Sequence, residues 1–386
     1  MTKSNPVLLL ILMGCQGESD TAEPGQGHGP YADQIMGPLG TPFPFATEAQ
    51  VETFERGLAV GKHQYSLSEG LGPGFNVTFC LSCHEQPVFG GSASLYRNFV
   101  VGAEVSEEGV FFFAESAGNN SGVIRSYYYG SDFDQRPTIG DEVNHFAHRN
   151  PVPFFGIGLI AELSDTDILV HADPDDLDQD GISGRANYDD GFIGRFGLKA
   201  QTASIEGFIR GPLFNHVGIT SDPLTNELRA ELPVDSSSVL GWDSGSFGSL
   251  ERLLLPYGQA AAPSVPLVDE DDAPDPEMDS SELFDLVSYA MLLAAPEFED
   301  ISSNTEALEG RRVFNETGCD SCHIPRLDGP RGAIPLYSDL LLHDMGEDLD
   351  DGLLMKEALG SEFRTQPLWG ISVAGPYLHD GRAQTI

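Results

Sequence analysis

The sequence predicts a mainly α fold that carries a β insertion, with loop-rich segments joining two halves. Three observations point there. Apolar residues recur at helical spacing over 46–66, 281–294 and 305–315. Between Phe99 and Tyr129 that spacing gives way to β-branched and aromatic runs. A Cys-x-x-Cys-His pattern occurs twice, at Cys80–His84 and Cys319–His323, each time after a predicted helix.

The N-terminal segment carries Lys3, then a short apolar run from Pro6 to Met13, then Leu12-Met13-Gly14-Cys15. This resembles a bacterial lipoprotein signal, so 1–15 is the expected signal and Cys15 the expected lipidation site. An ordinary signal peptide and an uncleaved anchor are the alternatives. The run is short for a membrane span. Gln16 follows, not the Asp that would argue for inner-membrane retention. The expected location is therefore the periplasm or cell surface, with a lipid anchor in the outer membrane. Residues 16–45, with Glu23-Pro24-Gly25-Gln26-Gly27, read as a flexible tether.

The first helix, 46–66, places Val51, Phe54, Leu58, Val60 and Tyr65 on an irregular apolar face. A glycine-rich stretch from Gly70 to Gly74 leads into Cys80. Val110 to Phe113 and Val123 to Tyr129, separated by Gly118-Asn119-Asn120, predict an inserted hairpin. Residues 150–232 are mixed and loop-rich. Residues 263–280 are acidic and contain proline, as a surface loop would. Ser281 to Ala294 reads as a buried helix capped by Ser280 or Ser281, and Glu306 to Phe314 as a helix ending at Gly318-Cys319. The expected division is a first lobe over 46–300, holding the insertion and the acidic loop, and a second over 301–386.

The chain has 386 residues, with 60 Asp and Glu against 20 Lys and Arg, a net charge of −40. Such a surface repels nucleic acid and anionic lipid. It suits basic protein partners, divalent cations or a salty medium, and simple solvation explains it equally well. Four of the five cysteines lie in the two motifs and Cys15 is the fifth, so no pair remains for a structural disulfide.

The motif has a mechanical meaning. Its two thiols add to the vinyl groups of one haem, and the next residue places its imidazole on the iron. Cys80, Cys83, Cys319 and Cys322 are thus the expected attachment sites of two covalent haem c groups. His84 and His323 are the expected iron ligands. A four-thiolate zinc site is the alternative, but it would leave both histidines as coincidences. Candidates for the second axial position are Met345, His343, His379, His216, His145 and His148. Met345 and His343 are favoured because they follow the second motif closely. A six-coordinate iron transfers electrons, whereas an open position binds peroxide or oxygen.

Asp176, Asp178 and Asp180 alternate and Gly181 follows, the opening of a calcium loop, with Ile182 offering its carbonyl. Asn187 stands in the twelfth position instead of a bidentate Glu. An acidic turn held by Arg185 is the competing reading.

Several segments resemble the bacterial di-haem oxidoreductases, a family also named for peroxidase and thiol-oxidoreductase chemistry. They are Gly70–Asn76, Asn150–Ile160, the Asp176–Arg185 loop, Gly194–Gly197, Gly218–Ser221, Tyr337–Gly346 and Phe363–Arg382. The resemblance spans most of 50–386. It implies two cytochrome c-like haem lobes facing each other, one haem storing an electron while the other meets peroxide, with calcium between them. Thr365 and Pro367 would then offer carbonyls to calcium. Gln366 and Trp369 depart from the family pattern, no distal glutamine–glutamate pair is found, and relatives continue past the His379-Asp380-Gly381 segment, so the second lobe is expected to be truncated. The implied function is an exported di-haem c-type oxidoreductase, peroxidase-like, drawing electrons from a small cytochrome or cupredoxin. The first haem would be reactive and the second the electron entry. A non-catalytic electron carrier and an oxidase of a thiol or protein substrate are the alternatives.

Overall fold

The computed structural model describes residues 31–106, 111–113, 121–129, 139–189, 191–234, 269, 273–298 and 301–386. The expected signal with Cys15, residues 16–30 of the tether and half of the acidic loop 263–280 lie outside them.

Two helices form the centre. The first, α1 (Glu48–Gly61), starts in a capping box: Thr47 Oγ1 accepts from Gln50 N at 3.3 Å and Gln50 Oε1 accepts from Thr47 N at 2.9 Å. Its partner spans Ser280–Leu292 and is buried along most of its length. The cap of that helix is Asp279, whose Oδ1 accepts from Ser281 N at 2.8 Å and Glu282 N at 2.9 Å. The expected Ser280 or Ser281 cap gives way because a carboxylate one residue earlier reaches two orphan amides at once. The helices touch backbone to backbone at Gly57, where a Cβ would sit 2.0 Å from Asp285 O.

The expectation of a mainly α fold of two cytochrome c-like lobes does not hold. Among the described residues helix makes up 29% and strand 18%, so neither dominates. Strands are short: Met36–Gly37 pairs with Ala295–Pro296, Leu327–Gly329 with Gly332–Ile334, and Leu342–Asp344 with Glu362–Arg364. The main apolar core is continuous from Ile35 through Ile160, Val287 and Leu336 to Trp369. Segments that read as loops gain their order from such ladders and from buried side-chain to backbone bonds, neither of which leaves a periodic trace.

Residues 31–45 were expected to be tether. They pack instead: Ile35 and Phe43 are buried, and Phe43 N donates to Leu292 O at 2.8 Å. The insertion is a three-stranded sheet with Phe99–Val105 in the middle, Phe111–Phe113 on one side and His145–Arg149 on the other. Val123 also bridges to Val101, while Tyr127–Tyr128 leaves to pair with Gly74–Phe75. The expected hairpin between 110–113 and 123–129 is therefore absent, because both segments pair with third strands instead of each other.

Candidate haem sites

The first motif forms a single tight turn, Cys80–Cys83, ahead of His84. His84 Nδ1 lies 3.0 Å from Gly91 O. A carbonyl only accepts, so Nδ1 carries the proton and Nε2 keeps its lone pair for a metal. Burial lowers the imidazole to about 4, against the raising effect of Gly91 and Val152 backbone, so the ring is neutral at neutral pH. Burial likewise pushes the Cys80 thiol up to about 12.

Cys80, Cys83 and His84 open onto a cavity of about 340 Å³, within the range of cofactor pockets. Val77, Leu81, Phe99, Val101, Ile205 and Leu286 are among its apolar walls. At Gly211, also on the wall, a Cβ would meet nothing within 4 Å. Among the described residues no aspartate or glutamate lines the cavity, although the chain carries 60 of them, and Arg149 is its one guanidinium. Arg149 pairs with Asp351, which Lys199 Nζ approaches at 3.2 Å. Arg149 Nε and the Tyr289 hydroxyl are buried without hydrogen-bond partners. An apolar slot with unpaired donors fits haem, whose flat apolar ring carries carboxylates at its edge.

The second motif repeats the local arrangement in the open. The helix Thr305–Glu316, capped by Asn304, has no buried residue, and Cys319 is exposed. His323 Nδ1 lies 2.8 Å from Tyr337 O, again leaving Nε2 available. Phe314 lies 6.5 Å from that ring between centroids, and Tyr337 packs edge-on against Phe314 at 6.1 Å.

The candidate second ligands sit in different settings. His216 lines the first cavity on a single π-helical turn, Leu213–Val217. His343 is buried beside the second motif, 3.6 Å from Cys322 Sγ through Nδ1 and 2.7 Å from Asp339 Oδ2 through Nε2, so both ring nitrogens are engaged. Met345 is half exposed just beyond it. His145 Nε2 meets Asp351 O at 2.7 Å, His148 is exposed, and His379 stacks on Phe363 at 4.4 Å.

In the calcium-like loop the carboxylates of Asp173, Asp176 and Asp178 gather with ligand atoms within 4.8 Å of one another. Asp180 is turned to its own backbone, accepting from Ile182 N at 2.8 Å. Arg185 leaves the loop and grips Glu362 at 2.6 and 2.5 Å. Thr365 O accepts from Ser338 Oγ at 2.7 Å. Sequence reading passed over Arg149, Tyr289 and Asp173. The first two give no local signal, whereas Asp173 stands three residues before the alternating acids.

No curated protein and no solved structure matches the chain. The family model described as "di-haem oxidoreductase, putative peroxidase" matches residues 130–245 and 263–386. That is more than half of the chain, and it includes the second motif while starting beyond the first. With the repeated motif and the cavity beside Cys80–His84, this match makes the chain a member of the di-haem oxidoreductase family, with haem as its cofactor.

Proposed function

We propose that the protein is an exported c-type enzyme that reduces peroxide with electrons from a small cytochrome or cupredoxin. The observation that carries this is the apolar cavity beside Cys80, Cys83 and His84, which no carboxylate lines among the described residues. Thioether bonds to Cys80 and Cys83 would hold one haem there, and Cys319 and Cys322 the other. When bound, the haem pair supplies redox-active iron that can store the electrons peroxide reduction needs. The chain's residues do the rest. His84 offers Nε2 from a ring oriented by Gly91, apolar walls give the haem a low-polarity setting, and Arg149 places a cation on the wall. Cys319 is exposed, which suits the second site for electron entry. We also propose calcium at Asp173, Asp176 and Asp178, supported by the buried, unpartnered Asp173 Oδ1.

A haemochrome assay combined with protein mass should give two covalent haems, and replacing Cys80 and Cys83 with Ala should halve that. Peroxide-dependent oxidation of a reduced small cytochrome should exceed that of free haem, and an equal rate would sink the peroxidase reading. A plain electron carrier would instead show two low-spin haems in every redox state.

A further inference from the structure

His216 shares the first cavity with His84, and its tautomer can be worked out from its neighbour. Asn76 fixes it. Asn76 Oδ1 accepts from Ser126 N at 2.8 Å, and Asn76 Nδ2 donates to Ile124 O at 3.0 Å. Those two backbone bonds settle which end of the amide is oxygen and which is nitrogen. The same Nδ2 lies 3.2 Å from His216 Nδ1. An amide nitrogen can only donate, so His216 Nδ1 must accept, and the neutral ring carries its proton on Nε2. This is the reverse of His84, where a carbonyl draws the proton to Nδ1.

The arrangement is held firmly. Asn76 N donates to His216 O at 2.7 Å, and Phe99 meets the ring edge-on at 4.6 Å. Arg125, donating to Phe214 O at 2.8 Å and Asn215 O at 3.3 Å, braces the π turn that aims the side chain. No other hydrogen bond engages the ring among the described residues, which leaves Nε2–H without a partner on a side chain that lines the cavity.

We propose that His216 is a distal hydrogen-bond donor to a small ligand in the first cavity, such as peroxide, and not an axial ligand of the iron. An iron ligand needs the Nε2 lone pair, which this tautomer does not have. Burial lowers His216 to about 4, with Arg125 and His84 acting the same way, so the ring stays neutral at neutral pH. The inference rests on a haem at Cys80–Cys83.

The test uses the protein with both haems in the ferric state, counting low-spin haems by electron paramagnetic resonance and titrating with cyanide as the ligand probe. H216L should leave the low-spin count unchanged and weaken cyanide binding roughly fivefold, the size of one lost hydrogen bond. H216Q, which restores a donor, should recover to within about twofold. N76D would replace the donor with an acceptor, draw the proton to Nδ1 and free Nε2, so it should add one low-spin signal that the double variant N76D/H216L loses. A low-spin haem that disappears in H216L overturns the proposal, as does cyanide affinity that H216L leaves unchanged. Should H216L fail to accumulate, the same loss of a low-spin signal in H216Q overturns it. A haem-free Cys80–Cys83 peptide by mass overturns the haem reading and this inference together, whereas the other adverse results overturn this inference alone.

Discussion

At both motifs the histidine commits Nδ1 to a backbone carbonyl, Gly91 O or Tyr337 O, so the nitrogen left for metal is the same one in each. Single residues also set the acid stability. Burial works against the Glu362 carboxylate, but Arg185 outweighs it, and the carboxyl is held below its ordinary range. A depressed carboxylate stabilises the fold at pH values above its unfolded pKa. That contribution is lost as pH falls through the folded value. Glu362→Gln should therefore lower stability at neutral pH and flatten the acid limb of a denaturant-midpoint profile below about pH 4.5. A limb as steep as the parent's would place the acid sensitivity elsewhere. The partnership of Arg185 was only partly legible. An acidic turn held by Arg185 was one reading, yet its carboxylate comes from a residue 177 positions away, and no local pattern reports such a distance.

Among the elements, the contact of α1 with the helix Ser280–Leu292 governs the centre of the fold. Gly57 allows it, since any Cβ would strike Asp285 O, and Arg56 clamps the same Asp285 at 2.8 and 2.9 Å. Gly57→Ala should cost about 3 kcal/mol, because backbone cannot move aside as a flexible side chain would. Thermal unfolding checks this, and a midpoint unchanged from the parent would show that the helices can part without penalty. Both helices were readable because α1 buries one face, at Phe54, Gly57 and Gly61, and Ser280–Leu292 is a largely apolar run behind a clear cap. The insertion was less readable. Its aromatic runs announced strands, but pairing depends on which neighbour arrives, and Phe99–Val105 takes Phe111–Phe113 and His145–Arg149.

For the whole molecule, the charge of −40 shapes encounter more than fold. If the electron donor is basic, association should be fast at low ionic strength and slow about tenfold or more between 0.01 and 0.15 M salt, as the screening length shortens from about 30 to 8 Å. Stopped-flow oxidation of a basic and an acidic small cytochrome would check this, and equal salt dependence for both would rule out steering by the surface field. The interior reverses the exterior: among the described residues no carboxylate lines the first cavity, and its one guanidinium, Arg149, is backed by Asp351 and Lys199.

The family, the haem cofactors and the position of the three main helices follow from the order of residues alone. Each of those is written in local or periodic order: Cys-x-x-Cys-His spacing, or an apolar face repeated every turn. Only the tertiary structure decided the balance of helix and strand, the packing of residues 31–45, and the company each histidine keeps. His216 stood among six candidates, behind Met345 and His343, until Asn76, 140 positions earlier, was placed against its Nδ1. The proton on an imidazole follows from whichever group lies across from it, and that is a property of the folded chain.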